Sequence, residues 1–518
     1  MARAAKAIPF FLSLLSGGLL CLAFPKADLE VLAWISLVPL LVVLNHSSPQ
    51  RGFLYGLISG LSFYLASLYW VTHAMTFYGG LSRTLSLMVL VGLALYLSCY
   101  LGVFSWVCCR FRLLSRAWGV LWLPSLWVSL EYVRNFLLTG FPWNLVGYSQ
   151  YRNPYLLQLV SLVGIYGLSF LVLLVNCALA FVVLHSPRSP VGVKALSCAG
   201  MAVALALGYG GLRLHLPPGG RAMRVGLVQG NIDQGVKWNP AFQRASFDTH
   251  KRLTLVAARS RPEMIVWPET ALPFYLRAEP RWREELGALS SQIGCHLLVG
   301  SPDYAAEGKN VRYYNSAFLL SPEKGVVEKY DKMHLVPFGE YVPLRRFLPF
   351  IDKLVVGVGD FSAGQEMRIL RVPGGRFGVT ICFETIFPEI ARECRRRGAD
   401  FLVNLTNDAW FGRTAAPYQH LSMAVVRAVE NGCYLVRAAN TGISGVISPY
   451  GEIVRASRLF SEDRFTADIS LSPRITPYAR MGDVLAWSCV LVSLIFIPGP
   501  FYLRGASLGL KAGRSRRR

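Results

Sequence analysis

The chain has 518 residues, of which 53% are hydrophobic and only 16% are charged. Soluble proteins carry about a quarter charged residues, so this composition excludes a wholly water-exposed protein, and the apolar content excludes a disordered one. The formal net charge of +23 calls for an anionic partner or surface, for which nucleic acid and anionic lipid are the two candidates.

Long apolar segments occupy the first part of the chain, from Ile8 to Leu212. Each is long enough to cross the roughly 30 Å of hydrocarbon in a bilayer. One more apolar segment, from Val484 to Leu503, comes near the C-terminus. The pattern therefore predicts eight membrane-spanning helices, over residues 8–24, 28–45, 53–73, 85–108, 118–136, 156–184, 195–212 and 484–503.

The distribution of Lys and Arg between the loops predicts the orientation of these spans. With a cytoplasmic N-terminus, fourteen Lys and Arg residues lie inside and four lie outside. Residues 216–480 then face outward with a net charge of only +8, so nucleic-acid binding is not expected. We therefore divide the chain into seven spans (1–215), an outward domain (216–480), and an eighth span with a basic cytoplasmic tail (481–518).

Residues 216–480 alternate short β-type runs with amphipathic helical stretches. This alternation is typical of a layered α/β domain, in which reactive residues gather at strand ends. Strands are predicted over residues 224–229, 264–267, 296–300, 316–320, 377–382, 401–405 and 434–438. Helices are predicted over residues 240–260, 280–293, 387–397 and 418–431.

Three segments of this domain carry a reactive side chain near a strand end. Glu269 follows a Trp-Pro pair, Lys332 lies in a charged stretch, and Cys382 lies where a strand runs into a helix. A helix N-terminus lowers the pKa of a neighbouring thiol, a carboxylate can take its proton, and a lysine can stabilise an oxyanion. Such a set suffices for acyl transfer through a thioester. Each residue also has an ordinary interpretation, as loop carboxylate, surface lysine or core cysteine, and spacing alone does not bring them together.

Five short motifs follow one another in an order shared with one protein superfamily. They are Gly-Asn at 230–231, Trp-Pro-Glu at 267–269, Asp-Lys-Met-His-Leu-Val-Pro-Phe-Gly-Glu at 331–340, Ile-Cys-Phe-Glu at 381–384 and Asn-Asp-Ala-Trp-Phe-Gly at 407–412. This set resembles the carbon–nitrogen hydrolase (nitrilase) superfamily. With eight flanking spans, and with Phe-Pro-Trp-Asn at 141–144 and Gly-Tyr-Ser-Gln at 147–150, the whole chain resembles the bacterial apolipoprotein N-acyltransferases.

The resemblance implies an αββα sandwich on the periplasmic side of the bacterial inner membrane. It implies Glu269 as general base, Lys332 as oxyanion stabiliser and Cys382 as nucleophile. The acyl chain would come from a phospholipid, typically phosphatidylethanolamine, and form a thioester on Cys382. It would then pass to the α-amino group of the S-diacylglyceryl cysteine of an apolipoprotein. No cofactor is implied.

The same resemblance assigns roles to four further residues. Glu340 and Glu384 would be supporting carboxylates around the triad. Trp238 and Trp410 would lie on loops that border the active site and bind substrate. Phe383 stands where some members of the family carry tyrosine, so no role at this position rests on a hydroxyl group.

The stretch from Tyr341 to Phe361 is unusually apolar for an outward loop and contains glycines. Such a loop could dip into the bilayer interface as a lid beside the entrance for the acyl chain. The alternative is that it packs on the sheet, and the sequence leaves both interpretations open.

Four cysteines lie in the outward domain, namely Cys295, Cys382, Cys394 and Cys433. An oxidising compartment permits a disulfide among them. A Cys382 that took part in one could not be a nucleophile, so its redox state tests the proposed chemistry.

Two pairs of polar residues give weaker signals. His334 and His420 lie far apart without metal-ligand spacing, so no metal site is predicted. Glu131 and Arg134, near the end of the fifth span, are predicted to form an ion pair at the interface, in preference to a role in binding a substrate headgroup.

Two other functions compete with acyl transfer. The first is an amidase or nitrilase that hydrolyses a small amide and uses the spans only as an anchor; a single span would serve for that, so eight favour a lipid substrate. The second is a transporter or receptor with an outer ligand domain. It would need ionisable groups or broken helices deep in the membrane, whereas the predicted spans are nearly free of charge.

Overall fold

The computed structural model describes residues 2–217, 219–308, 310–341 and 361–495. Most of the predicted lid, residues 342–360, lies outside the described residues, as do residues 496–503 of the last predicted span and the basic tail. The two regions that the sequence separates, apolar and mixed α/β, are both described.

The apolar region is helical throughout. Its helices are α1 (Ala2–Leu22), α2 (Val38–Asn45), α3 (Pro49–Ser67), α4 (Val71–Phe77), α5 (Arg83–Arg110), α6 (Gly119–Arg134), α7 (Pro154–Leu157), α8 (Val160–His185) and α9 (Pro190–Leu214). Prolines stand in the first turn of α2, α3, α7 and α9, where the missing N–H has no helical partner to lose.

The predicted outward domain, residues 216–480, contains two six-stranded sheets in its described residues. Its strands are β1 (Arg221–Gln229), β2 (Met264–Val266), β3 (His296–Glu307), β4 (Asn310–Ser321), β5 (Gly325–Asp331), β6 (Ile369–Val372), β7 (Gly375–Ile381), β8 (Phe401–Thr406), β9 (Leu435–Ala439), β10 (Gly445–Ile447), β11 (Ile453–Ala456) and β12 (Asp463–Leu471). The first sheet has the order β12-β1-β2-β3-β4-β5 and the second the order β11-β10-β9-β8-β7-β6. Within each sheet three neighbouring strands, β1-β2-β3 and β7-β8-β9, run parallel.

The remaining helices cover the outer faces of the sheets or return to the apolar region. They are α10 (Pro240–Ala258), α11 (Pro280–Ile293), α12 (Pro388–Arg396), α13 (Ala416–Asn431), α14 (Pro477–Met481) and α15 (Val484–Ile495). Helices α10 and α11 pack on the first sheet, and α12 and α13 pack on the second. Side chains alternate along β2: Met264 and Val266 enter the core between the sheets, whereas Ile265 packs towards α10 and α11. The layers are therefore helix, sheet, sheet, helix.

The predicted elements of this domain are confirmed, with shifted ends. All seven predicted strands and all four predicted helices are present. The strands that the sequence pattern missed are β5, β6, β10, β11 and β12. Each of these is an edge strand except β10, which lies next to an edge, and β11 is exposed along its whole length, so it carries no apolar alternation.

The apolar helices differ in length from the predicted spans. Helices α5, α8 and α9 are each long and apolar enough to cross a membrane. Helices α3 and α4 meet at a bend of 51° and would count as a fourth span if they form one. Shorter apolar helical segments cover Ala7–Leu22, Glu30–Asn45 and Val484–Ile495. Eight uniform spanning helices are thus not seen in the described residues, because breaks such as the one at residues 68–70 interrupt runs that are continuous in hydropathy.

The predicted ion pair between Glu131 and Arg134 is wrong. Oε1 of Glu131 accepts hydrogen bonds from Nε1 of Trp127 and from the backbone N–H of Val146, both at 2.9 Å. Arg134 donates instead to the Tyr64 hydroxyl and to a backbone carbonyl. The loop after α6 folds back to supply Val146 and the Trp143 carbonyl group, and α3 supplies Tyr64, which sequence spacing does not reveal.

Gln419 of α13 joins the outward domain to the apolar helices. Its Oε1 accepts from the indole N–H groups of Trp143 at 2.8 Å and Trp70 at 3.1 Å. Its Nε2 donates to the carbonyl oxygens of Ser67 at 3.2 Å and Pro25 at 3.4 Å. Both ends of a buried carboxamide are therefore satisfied by the apolar region, which fixes the register in which the two parts dock.

Gly164 in α8 is expected to be intolerant of a side chain. Its φ is +70°, and a Cβ atom would lie 2.4 Å from the ring of Tyr478. Gly164→Ala should lower the free energy of unfolding by on the order of 2–4 kcal/mol, because it adds left-handed strain to an overpacked contact. Thermal unfolding in detergent, followed by circular dichroism, measures the change. Gly200→Ala in α9 is the control, since a Cβ atom added there would have no neighbouring atom within 4 Å; equal midpoints for the two variants would contradict the expectation.

Candidate active site

Cys382 directly follows β7 and is the first residue of a short 3-10 turn that leads to α12. Its φ is +53°, a left-handed conformation that costs a non-glycine residue roughly 1–2 kcal/mol. The flanking peptide groups are held: the N–H of Ile381 donates to Oε2 of Glu384 at 2.7 Å, and Nε2 of His420 lies 3.2 Å from the carbonyl oxygen of Cys382. Strain that the surroundings maintain in this way is typical of functional sites.

The Cys382 thiol is free, as are the other ten cysteines, all of which lie in described residues. Cys295, Cys394 and Cys433 therefore form no disulfide with it in this structure. The sulfur remains available for chemistry.

Lys332 lies at the centre of a buried charge cluster opposite Cys382. Its Nζ is 2.9 Å from both carboxylate oxygens of Glu340 and 3.8 Å from Oε1 of Glu269. Nδ2 of Asn315 donates to Oε1 of Glu269 at 2.8 Å and to Oε1 of Glu340 at 2.9 Å. Two carboxylates thus share one ammonium group and one amide.

Glu269 has the properties of a general base. Burial raises the pKa of its carboxyl group, against the opposing charge of Lys332. Its Oε2 is buried and has no hydrogen-bond partner among the described residues, whereas Oε1 is held by Asn315. Gly300 permits this geometry, because a Cβ atom there would lie 2.8 Å from the Cα of Glu269. One oxygen of Glu269 is therefore fixed and the other can accept a proton.

The expected lowering of the Cys382 pKa by a helix N-terminus is wrong. Burial raises the pKa of the thiol, the charge of Glu269 raises it further, and Lys332 opposes both. Helix α12 begins only at Pro388, too far along the chain to dominate. The resting sulfur is therefore a neutral thiol, and attack requires that a base remove its proton. The charges of Glu269 and Lys332 both act on the Cys382 thiol, so the three predicted residues lie near one another.

Glu384 ties the Lys332 segment to the Cys382 strand. Its Oε1 accepts from the Tyr330 hydroxyl at 2.9 Å and from the backbone N–H groups of Met333 and His334 at 2.7 and 3.0 Å. Its Oε2 accepts from Ile381 N–H. The carboxylate therefore holds the backbone of both segments, and Glu340 likewise holds a backbone group, since its Oε2 accepts from Val336 N–H at 2.8 Å.

The two predicted tryptophans differ in their surroundings. Nε1 of Trp238 is buried and has no partner among the described residues. Trp410 is partly exposed, and its ring centroid lies 5.1 Å from that of Tyr78, in the connection between α4 and α5. Trp410 therefore borders the apolar helices, and neither indole hydrogen-bonds to Glu269, Lys332 or Cys382 within the described part of the chain.

Sequence reasoning missed two polar residues of the site. Asn315 lies inside β4, one residue before the predicted strand, where nothing distinguishes it from an ordinary strand amide. Lys237 is buried beside Trp238 and donates to the Thr270 hydroxyl at 2.7 Å and to the carbonyl oxygen of Glu269 at 3.3 Å. Burial lowers the pKa of Lys237 to about 8, against the charge of Glu269. The sequence signal that could have identified Lys237 is its position next to Trp238, a predicted site residue.

No group of three or more His, Cys, Asp or Glu side chains that could hold a metal ion occurs in the described ranges. His420 instead contacts Asp408 and the Cys382 carbonyl group, and His334 packs on the ring of Phe387 at 3.8 Å. The chemistry available here is that of a carboxylate, an ammonium group and a thiol.

The pH dependence of Cys382 reactivity should report the raised pKa of Glu269. Alkylation by iodoacetamide, followed by mass spectrometry, should increase with pH through a midpoint above 4.5, the ordinary value for glutamate, because only the carboxylate can take the thiol proton. Lys237→Met should move the midpoint upward, since a nearby positive charge that favours the carboxylate is lost. Glu269→Gln should abolish this pH-dependent increase and slow alkylation by roughly 10²–10⁴-fold.

Lys324→Met is the matched control for Lys237→Met, because Lys324 is exposed in the turn between β4 and β5. It should leave the midpoint unchanged. An unshifted profile in Lys237→Met, or full alkylation in Glu269→Gln, would contradict the assigned role of Glu269.

Two families match this chain, one for each of its parts. Residues 16–178 match the apolipoprotein N-acyltransferase N-terminal domain, and residues 224–478 match carbon–nitrogen hydrolase. Residues 224–478 therefore form a nitrilase-like α/β domain.

Relatives match over nearly the full length. The chain is 44% identical to the apolipoprotein N-acyltransferase of Geobacter metallireducens, over 93% of each chain. It is 35% identical to that of Methylococcus capsulatus, over 91% of this chain and 92% of the relative. Among solved structures, an amidase mutant from Nesterenkonia sp. AN1 is 20% identical, covers 53% of this chain and 98% of its own, and has a TM-score of 0.39.

Proposed function

The chain belongs to the apolipoprotein N-acyltransferase family and acts in lipoprotein maturation, and we propose that it does so through a thioester on Cys382. The acyl donor is a phospholipid, phosphatidylethanolamine in the first instance, and the acceptor is the α-amino group of an S-diacylglyceryl cysteine at an apolipoprotein N-terminus. The observation that carries the proposal is the buried cluster in which Glu269 and Lys332 both interact electrostatically with Cys382.

In the first half-reaction, Glu269 removes the thiol proton and the sulfur of Cys382 attacks the ester carbonyl of the phospholipid. Lys332 donates a hydrogen bond to the oxyanion that forms. When the ester C–O bond breaks, Glu269 returns the proton to the departing lysophospholipid oxygen. The fatty acyl group is then held as a thioester.

In the second half-reaction, the acceptor amine attacks the thioester carbonyl. Glu269 takes a proton from the amine, Lys332 again stabilises the oxyanion, and the C–S bond breaks as Glu269 passes that proton to the sulfur, which restores the thiol and the carboxylate. The product is an amide, and the two half-reactions together constitute a ping-pong cycle. The raised pKa of the Cys382 thiol supports this scheme, because the sulfur is kept neutral until a substrate is present.

The membrane arrangement is part of the proposal. Eight spans, seven in residues 1–215 and one in 481–518, would hold residues 216–480 on the periplasmic face of the inner membrane. The excess of Lys and Arg on the inner loops supports this orientation. The hydrogen bonds of Gln419 to Trp70 and Trp143 support a catalytic domain seated directly on the membrane helices.

An aromatic side chain from the apolar region reaches the residue next to the nucleophile, which favours a lipid donor over a small amide. The ring of Phe141 lies 6.4 Å from that of Phe383, the residue after Cys382. Phe141 also stacks on Trp143 at 6.0 Å with an angle of 11° between the rings. A hydrolase of small soluble amides would not need its site to be lined from the membrane side. Trp238 and Trp410 are proposed to contact substrate at the border of this region.

A fatty acyl group should be found on Cys382 itself. When the full-length protein is incubated with vesicles of radiolabelled phosphatidylethanolamine, label should remain on Cys382 until a diacylglyceryl peptide with a free amine is added. Intact-protein and peptide mass spectrometry locate the adduct. Cys382→Ala should carry no label, whereas Cys295→Ala, which alters another buried free cysteine, should be labelled normally. Rapid release of free fatty acid without an acceptor would favour hydrolysis instead.

Lys332→Ala should slow acylation more than it weakens phospholipid binding, because the ammonium group is needed most when the oxyanion forms. The expected loss in the single-turnover rate is roughly 10²–10³-fold. Lys329→Ala is the control, since Lys329 is three residues away, partly exposed, and paired with Asp303 and Asp331 outside the cluster. Equal rates in the two variants would contradict the role of Lys332.

A further inference from the structure

His420 of α13 is fully buried behind the nucleophile and takes no part in the scheme above. Its Nε2 lies 3.2 Å from the carbonyl oxygen of Cys382, and its Nδ1 lies 3.0 Å from Oδ1 of Asp408. An NH2 nitrogen of Arg437 lies 3.0 Å from the same Nδ1 and 2.7 Å from Oδ2 of Asp408. The ring therefore bridges an ion pair and the backbone of the nucleophile.

The Cys382 carbonyl group decides which ring nitrogen must donate. A carbonyl oxygen can only accept a hydrogen bond, so Nε2 must carry a proton to bind Cys382. Nδ1 faces both Arg437, which can only donate, and Oδ1 of the Asp408 carboxylate, which can only accept, so these two partners do not decide the protonation of Nδ1. Burial and the charge of Arg437 lower the pKa of His420, against the charge of Asp408. Nε2 donates to Cys382 whether or not Nδ1 also carries a proton.

The carbonyl group that His420 binds belongs to the strained residue of the site. Because the peptide unit is planar, a fixed Cys382 carbonyl also fixes the N–H of Phe383. The fixed carbonyl group and the φ of +53° together constrain the backbone from which Cys382 presents its sulfur. On the other side of Cys382, Glu384 holds the N–H of Ile381. His420 supplies the second of two restraints on a conformation that an unrestrained cysteine avoids.

The same ring contacts an aromatic side chain of the apolar region. The ring of Trp143 lies 5.7 Å from that of His420 at an interplanar angle of 30°, and Phe411 of the α/β domain meets the His420 ring edge-on at 6.2 Å. Trp143 also donates to the adjacent residue, Gln419. One turn of α13 therefore carries both the contact that docks the catalytic domain on the apolar helices and the contact that holds the nucleophile.

We propose that His420 is a positioning residue, which holds the backbone of Cys382 through its Nε2–H and thereby links docking on the membrane helices to the geometry of the nucleophile. The proposal rests on the function of Cys382 proposed above. His420 exchanges no proton with substrate; it acts only through the Cys382 carbonyl group.

Two substitutions by amide side chains of different length test the positioning role of His420. The side-chain nitrogen of glutamine can occupy the place of Nε2, whereas that of asparagine reaches only the place of Nδ1. His420→Asn should lower the single-turnover rate of Cys382 acylation by roughly 10–100-fold, because a misplaced nucleophile loses near-attack geometry. His420→Gln should recover most of that rate. Acylation is measured on full-length protein with vesicles of labelled phosphatidylethanolamine.

A purely structural residue would give a different result. The phospholipid concentration at half-maximal rate should be the same in both variants and in the wild type, so that only the rate at saturation falls. Rates are compared at a temperature at which circular dichroism shows each variant to be folded, and His420→Ala serves as a second variant without the donor. Equal rates for the Asn and Gln variants, or an Ala variant as fast as the wild type, would overturn the proposal.

Cys382→Ala in the same experiment separates this proposal from the one on which it rests. If Cys382→Ala still forms the acyl-enzyme, the thioester scheme fails. If Cys382→Ala forms none while His420→Asn is fully active, the scheme stands and only the positioning role fails.

Discussion

The site depends on the pairing of the buried ammonium group of Lys332 with two carboxylates, those of Glu340 and Glu269. Removing a charge from water costs several kcal/mol even after relaxation, so Lys332 must be paired where it lies. Both oxygens of Glu340 lie 2.9 Å from the ammonium nitrogen, whereas Glu269 lies 3.8 Å away and therefore interacts with the ammonium group more weakly. This unequal division lets one carboxylate stabilise the lysine while the other keeps a raised pKa and an unpaired oxygen. A symmetric arrangement would provide a tighter ion pair and a poorer base.

The sandwich architecture explains how these groups meet. Asn315 lies in β4 and Lys332 directly follows the adjacent strand β5 of the first sheet, whereas Cys382 comes from the end of a central strand of the second. The sheets pack face to face, so their ends form one site only if the segments after the strands are held in register. Glu384 does this, because it follows Cys382 in sequence yet accepts hydrogen bonds from the backbone of Met333 and from Tyr330. The supporting carboxylate therefore joins the two sheets at the reacting groups.

Much of this site could be predicted from sequence, and the failures have physical causes. Glu269 and Cys382 follow strands with strong apolar patterns, so their positions at strand ends are visible in the sequence, whereas Lys332 follows a partly exposed edge strand and was found through its motif. The direction of the Cys382 pKa was not predictable, because it depends on burial by both sheets and on the distance to α12. Asn315 was missed because a polar residue inside a strand gives no signal until its partners are known. Hydropathy found each apolar segment, but it could not show where α3 bends into α4.

The coupling between the two parts of the molecule follows from the placement of α13. Sequential residues of a helix point in directions about 100° apart, so neighbours such as Gln419 and His420 must face different partners. Here Gln419 faces the indoles of the membrane side and His420 faces the backbone of Cys382. Neither contact could shift without the other, since one rigid, buried turn carries both. The proposed lipid donor would approach the sulfur from the side of the apolar helices, and α13 is the element that joins that side to the backbone of Cys382.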